Sequence, residues 1–553
     1  MATIDQACRE CKNSFSIEEV DQAFYTKMEV PLPTLCPEDR QRRRMLWRNE
    51  RSLYHGKCEL CGKQIITMYR PGSPYKVYCN PCWWGDRWSG LDSGRSFDFN
   101  RPFFEQFKEL LYATPHPSLC NDASSTNSDY VNQTSYMKDS YLVFDSDCSE
   151  SVYYSHLSKY SKSSMDCLRI YECELCYECV DCEKCYQLFN SQDCQNCTDS
   201  AFLRDCRNCN HCFGSVGLRN KEYYFFNKPL SKEAYEATIA AFNLDTHGNR
   251  EKLKAEVRQW FLNFSFKADH NMNNENSTGD YLKNTKDCSF AFDCQDVRDC
   301  HFCSNLSNGA TDCYDYDVWG FKAELIYDSI TVGDRARKVL FSNTCWGVDE
   351  LMYCDNCMFS SNLFGCVGLK KNTYCILNKQ YSKEEYEVLV PRIIEHMQKT
   401  GEWGEFFPST MSAFAYNETV ASIYYPLSPQ EAQSMGYSWK EDDESSNYKG
   451  PDVQVPAKIS DVNDAILKQI LRCKKTDKLY RVIPQELAFY RQMQLPVPLL
   501  CPEERHVQRM SQRNPRKLWP RHCDACQTSI QSTYAPNRPE KVLCEACYLK
   551  TVY

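Results

Sequence analysis

A cysteine-bearing segment at the start of this chain is repeated at its end, and this duplication constrains the architecture more than any other feature. Residues 8–82 reappear without a gap as residues 473–547 of the 553-residue sequence. The cysteines coincide, and so do many residues between them, such as FYTKM against FYRQM. We therefore expect one copy of the same module at each end. Other domains should lie between them, because a chain of this length holds several.

Composition narrows the class of protein. The formal charge of -9 gives no basic field over the whole protein that would attract nucleic acid. The first residues carry no apolar run for export, and no stretch approaches the length of a membrane span. These features predict a soluble, cytoplasmic protein without a membrane segment. The 36 cysteines fall largely in C-x2-C pairs, so we expect reduced thiols and metal thiolates rather than disulfides.

Two C-x2-C pairs in each module, separated by 17 residues, have the spacing of a zinc ribbon. The predicted ligands are Cys58, Cys61, Cys79 and Cys82 in the first module and Cys523, Cys526, Cys544 and Cys547 in the last. Four thiolates complete a tetrahedral zinc shell and leave no position for water, so a structural zinc is predicted in each module. Unliganded thiols or a redox dithiol are the alternatives.

A third metal site is a weaker candidate. Its ligands would be Cys8, Cys11, Cys36 and Asp39, three thiolates and one carboxylate. The C-terminal equivalents are Cys473, Thr476, Cys501 and Glu504. Threonine is a poor zinc ligand, so this copy is interpreted as a site that has lost its metal.

The central part of the chain has a period of twelve residues. Cys182, Cys194 and Cys206 follow this interval, and Cys288 and Cys300 repeat it later. A short fixed period indicates a solenoid whose coils stack about 4.8 Å apart and share one core. The predicted fold class is mainly β with helical connectors: two β-solenoid-like lobes of about 12-residue coils, flanked by the duplicated zinc-ribbon modules.

The cysteines of these repeats allow two interpretations. Stacked C-x2-C pairs could hold a metal or an iron–sulfur cluster, or cysteine could fill a narrow core as a small hydrophobe. Columns of cysteine that run through every coil favour packing.

The predicted boundaries follow these patterns. They are 1–85 (N-terminal zinc-ribbon module), 86–115 (aromatic linker), 116–228 (first solenoid lobe), 229–264 (helical connector), 265–379 (second lobe), 380–457 (helix and linker) and 458–553 (C-terminal zinc-ribbon module). Ser382 and Glu385 form a predicted capping box that begins an amphipathic helix.

Arginine-rich segments lie just before the first of the two zinc-ribbon C-x2-C pairs in both modules. Their basic residues are Arg40, Arg42, Arg43, Arg44, Arg48 and Arg51 in the first copy and Arg505, Arg509, Arg513, Arg516 and Lys517 in the second. Arginine binds phosphate through paired contacts, which predicts a local RNA- or DNA-binding surface. The alternative is a helix face whose arginines pair with the protein's own acids.

Several segments also carry a resemblance to a known family. FYTKMEVPLPTLCP, YKVYCNPCWW, RSFDFNRPFFEQFKEL, NKQYSKEEYE, IPQELAFYRQM and NPRKLWPRHC resemble an uncharacterised zinc-ribbon repeat family of small-genome bacteria. The resemblance covers nearly the whole chain and implies zinc binding and this architecture, but no established activity. That family often has a fourth cysteine where this chain has Asp39, which weakens the third metal site.

The sequence contains no motif of a known enzyme class, such as H-E-x-x-H, a P-loop or G-x-S-x-G. The leading hypothesis is a non-enzymatic zinc-binding protein that contacts RNA or DNA through the arginine segments. The alternative is a protein–protein interaction scaffold, and a metal–thiolate redox or iron–sulfur protein ranks third.

Overall fold

A computed structural model describes residues 2–122, 124–242, 244–441, 450 and 452–553. The structure is mixed α/β, with many short parallel strands in large sheets. Part of the segment predicted as helix and linker (380–457) lies outside the described residues. In the described part of the chain, no helix has the length and apolar character needed to cross a bilayer.

The N-terminal module contains two small antiparallel hairpins and three helices, of which the first two begin at Glu19 and Pro37. Its elements are β1 (Ile4–Ala7), β2 (Ser14–Ile17), α1 (Glu19–Lys27), α2 (Pro37–Met45), β3 (Tyr54–Lys57), β4 (Gln64–Thr67), β5 (Lys76–Tyr78) and α3 (Asn80–Trp84). Helix α2 carries most of the first arginine segment, and α3 begins directly after Cys79, within the second C-x2-C pair.

The segment 86–115, predicted as an aromatic linker, belongs to the main core. It forms a 3-10 turn (Gly90–Ser93) and α4 (Phe103–Ala113), followed by β6 (Pro115–Pro117), which pairs in parallel with β5. Phe103 and Phe107 are fully buried. The aromatic residues therefore provide packing surface for a helix, which stabilises the junction between the module and the strands that follow.

The first repeat region (residues 116–228) consists of parallel strands paired mostly at an interval of twelve residues. The strands are β7 (Val131–Ser135), β8 (Val143–Asp147), β9 (His156–Lys159), β10 (Leu168–Tyr171), β11 (Val180–Glu183), β12 (Tyr186–Phe189), β13 (Thr198–Ala201), β14 (Asn210–Phe213), β15 (Glu222–Phe225) and β16 (Lys228–Pro229). They form two sheets, ordered β11-β10-β9-β8-β7 and β12-β13-β14-β15-β16. His156 thus lies opposite Leu168, and Leu168 opposite Val180.

Within each twelve-residue repeat, the backbone conformation has a shorter period of three residues. From Tyr160 to Asn208 the backbone enters the left-handed region at every third residue. Asn and Asp tolerate that conformation better than most residues, which accounts for their frequency at these corners. The residues that directly follow the corners are buried, and Cys173, Cys176 and Cys179 are among them, each at most 1% exposed. The C-x2-C spacing of the repeats therefore matches this three-residue period of the backbone.

The second repeat region (residues 265–379) forms one large sheet. After β17 (Ser265–Lys267), its strands are β18 (Gly279–Asp280), β19 (Ala291–Phe292), β20 (Arg298–His301), β21 (Ser304–Ser307), β22 (Thr311–Gly320), β23 (Glu324–Gly333), β24 (Arg337–Leu340), β25 (Asn343–Trp346), β26 (Asp349–Met352), β27 (Ser361–Phe364), β28 (Thr373–Ile376) and β29 (Lys379–Gln380). Strands β22 and β23 are longer than the rest and pair at an interval of thirteen, so that Tyr314 lies opposite Tyr327.

Both repeat regions end in the same cap. A short antiparallel turn (β15–β16 and β28–β29) follows the last parallel strand. Asn227 and Asn378 stand at equivalent left-handed positions in these turns. Each side-chain amide accepts a hydrogen bond from, and donates one to, the backbone of a valine in the preceding coil, Val216 or Val367. The cap closes a sheet edge that would otherwise offer unpaired backbone groups.

Among the described residues, five helices follow the two repeat regions and connect them to the next parts of the chain. They are α5 (Lys232–Ala241), α6 (His247–Phe261), α7 (Lys383–Thr400), α8 (Ala421–Tyr424) and α9 (Pro429–Ser434). Helix α7 begins at the predicted capping box, in which the Ser382 and Glu385 side chains each bond the other's backbone. It buries Tyr386, Val390 and Ile393.

The C-terminal module repeats the first. It comprises β30 (Leu471–Arg472), β31 (Leu479–Tyr480), α10 (Pro484–Gln492), α11 (Pro502–Met510), β32 (Trp519–His522), β33 (Ser529–Ser532), β34 (Lys541–Leu543) and α12 (Glu545–Val552). Strand β34 pairs in parallel with β17, as β5 pairs with β6 in the first module.

Candidate metal centres and the arginine segments

The first four-cysteine group is assembled by the β3–β4 hairpin and the start of α3. Cys58 closes a tight turn in which Gly62 donates its backbone N–H to the Cys58 carbonyl and adopts a positive φ. Cys79 donates its backbone N–H to the Cys58 sulfur at 3.3 Å. The four sulfurs lie within 4.8 Å of one another, and the Sγ atoms of Cys61 and Cys79 are 3.9 Å apart. A tetrahedral zinc with bonds of about 2.3 Å requires sulfurs about 3.8 Å apart, so this group fits zinc.

The second four-cysteine group has the same design. Cys523, Cys526, Cys544 and Cys547 also lie within 4.8 Å of one another, with 3.7 Å between the sulfurs of Cys526 and Cys544. Gln527 takes the position of Gly62 with a positive φ.

Backbone donors prepare one thiolate in each group. Burial raises the pKa of the Cys58 thiol, but backbone N–H groups that point at its sulfur outweigh that effect and lower the pKa to about 6. The pKa of Cys523 is lowered to about 6 in the same way. Metal binding needs the deprotonated form, so each hairpin offers a preformed ligand.

The third group also comes together. Cys8, Cys11, Cys36 and Asp39 lie within 4.8 Å of one another. The Cys8 thiol donates to Asp39 Oδ2 at 3.0 Å, and the sulfurs of Cys11 and Cys36 are 3.7 Å apart. Three thiolates and a carboxylate suit a tetrahedral zinc. Asp39 lies on helix α2, where it also pairs with Arg42. The candidate site therefore includes one residue of the helix that carries the first arginine segment.

The C-terminal counterpart of the third group has a different environment. Thr476 is 3.7 Å from the Cys501 sulfur, and Glu504 is engaged by Lys475 at 2.5 Å. Within the described residues, this set does not form a group of three or more close ligand atoms. The substitution of Thr476 for the cysteine found in the first module explains the difference.

The cysteines of the repeat regions have other partners. The Cys173 sulfur donates to the carbonyls of Tyr171 and Cys182, both at 3.4 Å, and most other repeat cysteines show the same pattern of i−2 and i+9 carbonyls. Every cysteine is a free thiol. Over the described ranges no repeat cysteine belongs to a group of three close ligand atoms. These contacts support the packing interpretation over a metal cluster.

The first arginine segment faces the protein interior and not solvent, and its residues Arg40 and Arg44 contact the second repeat region. Arg44 is fully buried and lies 2.8 Å from carboxylate oxygens of both Asp317 and Asp328. Arg40 is 2.9 Å from Asp315, which also lies near Arg44. Further partners are Glu405 for Arg43, Asp39 for Arg42, Glu50 and Asp145 for Arg48, and the Phe144 ring for Arg51.

The second arginine segment faces both repeat regions. Arg505 and Arg509 share Asp166, at 2.5 and 2.8 Å. Arg513 and Arg516 share Asp293 of the second region, at 2.6 and 2.8 Å. Lys517 differs from these arginines, because its side chain remains 54% exposed.

The described structure therefore matches the alternative in which these arginines pair with the protein's own acids. Their guanidinium groups are almost entirely buried, so they do not form an exposed phosphate-binding face. The sequence could show the positive charges, but the acids lie 273 positions away for Arg44 and Asp317. No local signal identifies such partners.

One cluster was not predicted from the sequence. Glu50, Asp145 and His156 bring ligand atoms within 4.8 Å of one another where the first module meets the first repeat region. Arg48 already bonds Glu50 at 2.5 Å and Asp145 at 3.1 Å, and His156 Nε2 is 2.8 Å from Glu50. A guanidinium occupies the place a cation would take, so this cluster does not fit a metal ion.

The comparisons with known proteins identify no family. No family model matches the chain, and no curated protein matches it. Among solved structures, one match is a chain from Desulfovibrio desulfuricans G20, provisionally described as an acetyltransferase. The identity is 9%, the match covers 44% of this chain and 65% of that one, and the TM-score is 0.11. The match spans less than two thirds of that chain's length, and at this TM-score it carries no argument about fold or function.

Proposed function

We propose that this chain is a non-enzymatic zinc-binding protein whose terminal modules clamp two β-solenoid regions into one rigid platform for a binding partner. The observation that carries the proposal is the crossed docking of the modules. Arg40 and Arg44 of the first module insert among acids of the second repeat region. Arg505 and Arg509 of the last module share Asp166 of the first repeat region. Each module therefore joins parts of the chain that are distant in sequence.

Zinc would support this clamp through α3 and α12, the helices that begin within the second C-x2-C pair of each module. Helix α3 begins directly after Cys79 and contains Cys82, and its Trp83 carbonyl accepts a hydrogen bond from Lys370 at the end of the second region. In the last module, Tyr548 on α12 donates to Asp205 near the end of the first region. Metal binding and folding are coupled in modules of this size, so the metal would orient both contacts.

The β-solenoid assignment rests on the parallel register. Paired residues on neighbouring strands are twelve positions apart in the first region and twelve or thirteen apart in the second. Each coil has corners at every third residue between Tyr160 and Asn208. Stacked coils of this kind share a core that no single coil could bury.

The hypothesis that the arginine segments bind RNA or DNA stays a prediction. Phosphate contact would require these arginines to leave buried ion pairs, and breaking such a pair costs about 3–5 kcal/mol. A protein–protein scaffold requires no such exchange.

The test is zinc content combined with chelation. Elemental analysis should find at least two zinc per chain, and a third if Cys8, Cys11, Cys36 and Asp39 hold metal. Chelation should speed amide exchange in β22–β23, against which helix α2 packs, as well as in the modules. Iron in place of zinc, or unchanged exchange in β22–β23 after complete zinc removal, would overturn the clamp.

A further inference from the structure

A row of indole rings lies on the surface where the N-terminal module meets the second repeat region. The rings of Trp319 and Trp346 are 5.9 Å apart, and those of Trp346 and Trp84 are 6.2 Å apart, with tilts of 52° and 46°. Trp84 comes from helix α3 and is 38% exposed, while the other two come from the sheet and are half-buried. The row therefore exists only when the module is docked.

Two glycines leave the space in which aromatic rings lie against the backbone. A Cβ at Gly333 would lie 2.4 Å from the Trp319 ring, and one at Gly347 would lie 2.8 Å from the ring of Phe359. Phe359 is 48% exposed and donates its backbone N–H to the Trp346 carbonyl. The absence of a side chain at these glycines allows the rings to cover the backbone and present a broad aromatic surface.

Cationic side chains stand along the adjacent corner. Lys322 and Arg335 are exposed residues in successive coils of that corner, and Lys371 is exposed at the same corner beyond Gly347 and Phe359. The Arg335 backbone bonds the Phe321 carbonyl, and Lys371 bonds the Met358 carbonyl, next to Phe359. Arg335 pairs with Asp334 at 3.5 Å, and its side chain stays 76% exposed. This basic edge contrasts with the net charge of -9 for the chain.

A further cation lies within the aromatic group. The Lys370 ammonium is 4.5 Å from the ring centre of Trp83 and 4.4 Å from that of Trp88. Trp84 lies above the same group at 5.6 Å. Cation–π contacts of this geometry hold the indoles in place and add positive charge below the surface.

We propose that this tryptophan surface binds single-stranded nucleic acid, with bases stacked on the indoles of Trp84, Trp346 and Trp319 and phosphates at Lys322, Arg335 and Lys371. Stacking on aromatic rings beside a positive edge is the general means of binding single strands without sequence preference. A proline-rich peptide would also suit the indoles but would not require the cations, so charge complementarity favours the nucleic acid. The inference goes beyond the proposed platform by naming its partner, and it uses none of the buried arginines.

The experiment measures binding of fluorescein-labelled oligouridine and single-stranded oligothymidine to the full zinc-loaded chain. Wild-type protein should bind both, and the triple variant Lys322→Gln, Arg335→Gln, Lys371→Gln should flatten the log Kd versus log salt slope by up to about 2, because each phosphate contact on a single strand contributes about 0.7. Phe359→Ser and Trp346→Ala should each weaken binding at least about fivefold.

Matched controls are available on helices α6 and α7 and in the first repeat region. Lys252, Lys383 and Lys399 have side chains that are 79%, 57% and 70% exposed, so their triple change to Gln removes the same charge without touching this surface. Tyr136→Ala removes an exposed ring elsewhere. Neither control should change the affinity or the slope.

Three results would overturn the inference: no binding of either strand at low salt, equal losses in control and surface variants, or binding of proline-rich peptide instead. Zinc content and amide exchange of β22–β23 are measured on every variant. A variant that keeps its zinc content and its amide-exchange rates but loses binding shows an effect of the tryptophan surface alone. Failure of the proposed clamp would be seen separately, as unchanged amide exchange in β22–β23 after chelation.

Discussion

Single buried charges govern how the modules attach. Arg44 is surrounded by Asp315, Asp317 and Asp328 and has no exposed surface. Burial opposes the charged form, but these carboxylates outweigh it and raise the pKa of Arg44 above its ordinary value. A buried charge set of this kind specifies one docking geometry, because any shift leaves a carboxylate unpaired.

Replacing Arg44 by Ala should destabilise the protein by about 3–5 kcal/mol, since three buried carboxylates lose their common partner. Chemical denaturation at neutral pH measures this. Lys27→Ala is the matched control, because Lys27 pairs with Asp312 on the same surface but is 52% exposed. That change should cost less than about 1 kcal/mol. Equal effects of the two changes would contradict the buried network.

His270 should make stability depend on pH. Burial lowers its pKa, but Asp280 at 2.9 Å and Asp193 at 3.6 Å outweigh burial and raise the pKa well above 6.5. The protonated form therefore stabilises the native state. This contribution is complete below the unfolded pKa of about 6.5 and is lost as pH rises through the higher folded pKa.

The measurement for His270 compares unfolding free energies of wild type and His270→Asn between about pH 6 and pH 10. The advantage of wild type should be largest at the acidic end and decline toward the alkaline end. A difference that grows with pH would reverse the assigned sign.

At the scale of elements, sequence and structure agree where the controlling contacts are local. The four-cysteine groups were predictable because both C-x2-C pairs of a module lie in one short segment, as in Cys58–Cys82. The start of α7 was predictable from Ser382 and Glu385 for the same reason. The twelve-residue repeat was also visible in the sequence. The three-residue period within it was not, because residues of many types, including Asp, Asn, Glu and Tyr, occupy the left-handed corner positions.

Contacts between elements could not be predicted in this way. The acids that bind the arginines, and the tryptophans of the surface row, come from segments hundreds of residues apart. A single sequence shows the charge or the ring but not its partner. The arginine segments accordingly looked equally suited to phosphate and to internal acids.

The coil geometry predicts how the repeat thiols react. Cys182, Cys194 and Cys206 are at most 2% exposed and bond backbone carbonyls. Burial raises the pKa of Cys182 to about 12, so little thiolate is present at neutral pH. Native labelling with a thiol reagent should leave these cysteines unmodified, and labelling in denaturant with chelator should modify them all. Rapid native labelling located by mass spectrometry would contradict the buried column.

At the scale of the whole molecule, Asp293 connects three parts of the chain. It belongs to the second repeat region, and it pairs with Arg169 of the first region at 3.3 Å as well as with Arg513 and Arg516 of the last module. The surrounding arginines outweigh burial and hold its pKa far below the ordinary range. One carboxylate thus couples both repeat regions to the C-terminal module.

Asp293→Ala should therefore weaken cooperativity as well as stability. We expect wild type to unfold in one calorimetric transition and the variant to show a separate, earlier transition, with a loss of about 3–5 kcal/mol in the coupled unit. Glu251→Ala, which removes a carboxylate that is 69% exposed, serves as the control. A single unshifted transition in Asp293→Ala would show that the parts are coupled elsewhere.

The crossed docking has a consequence for biosynthesis. Helix α2 leaves the ribosome long before its acceptor, because Asp317 follows Arg44 by 273 positions. At about 5–20 residues per second, that interval lasts roughly 14–55 s. Throughout it, a nascent zinc ribbon displays a bare row of guanidinium groups close to ribosomal RNA. Zinc supply and chaperone protection during translation would then determine the yield of this protein as much as its final stability does.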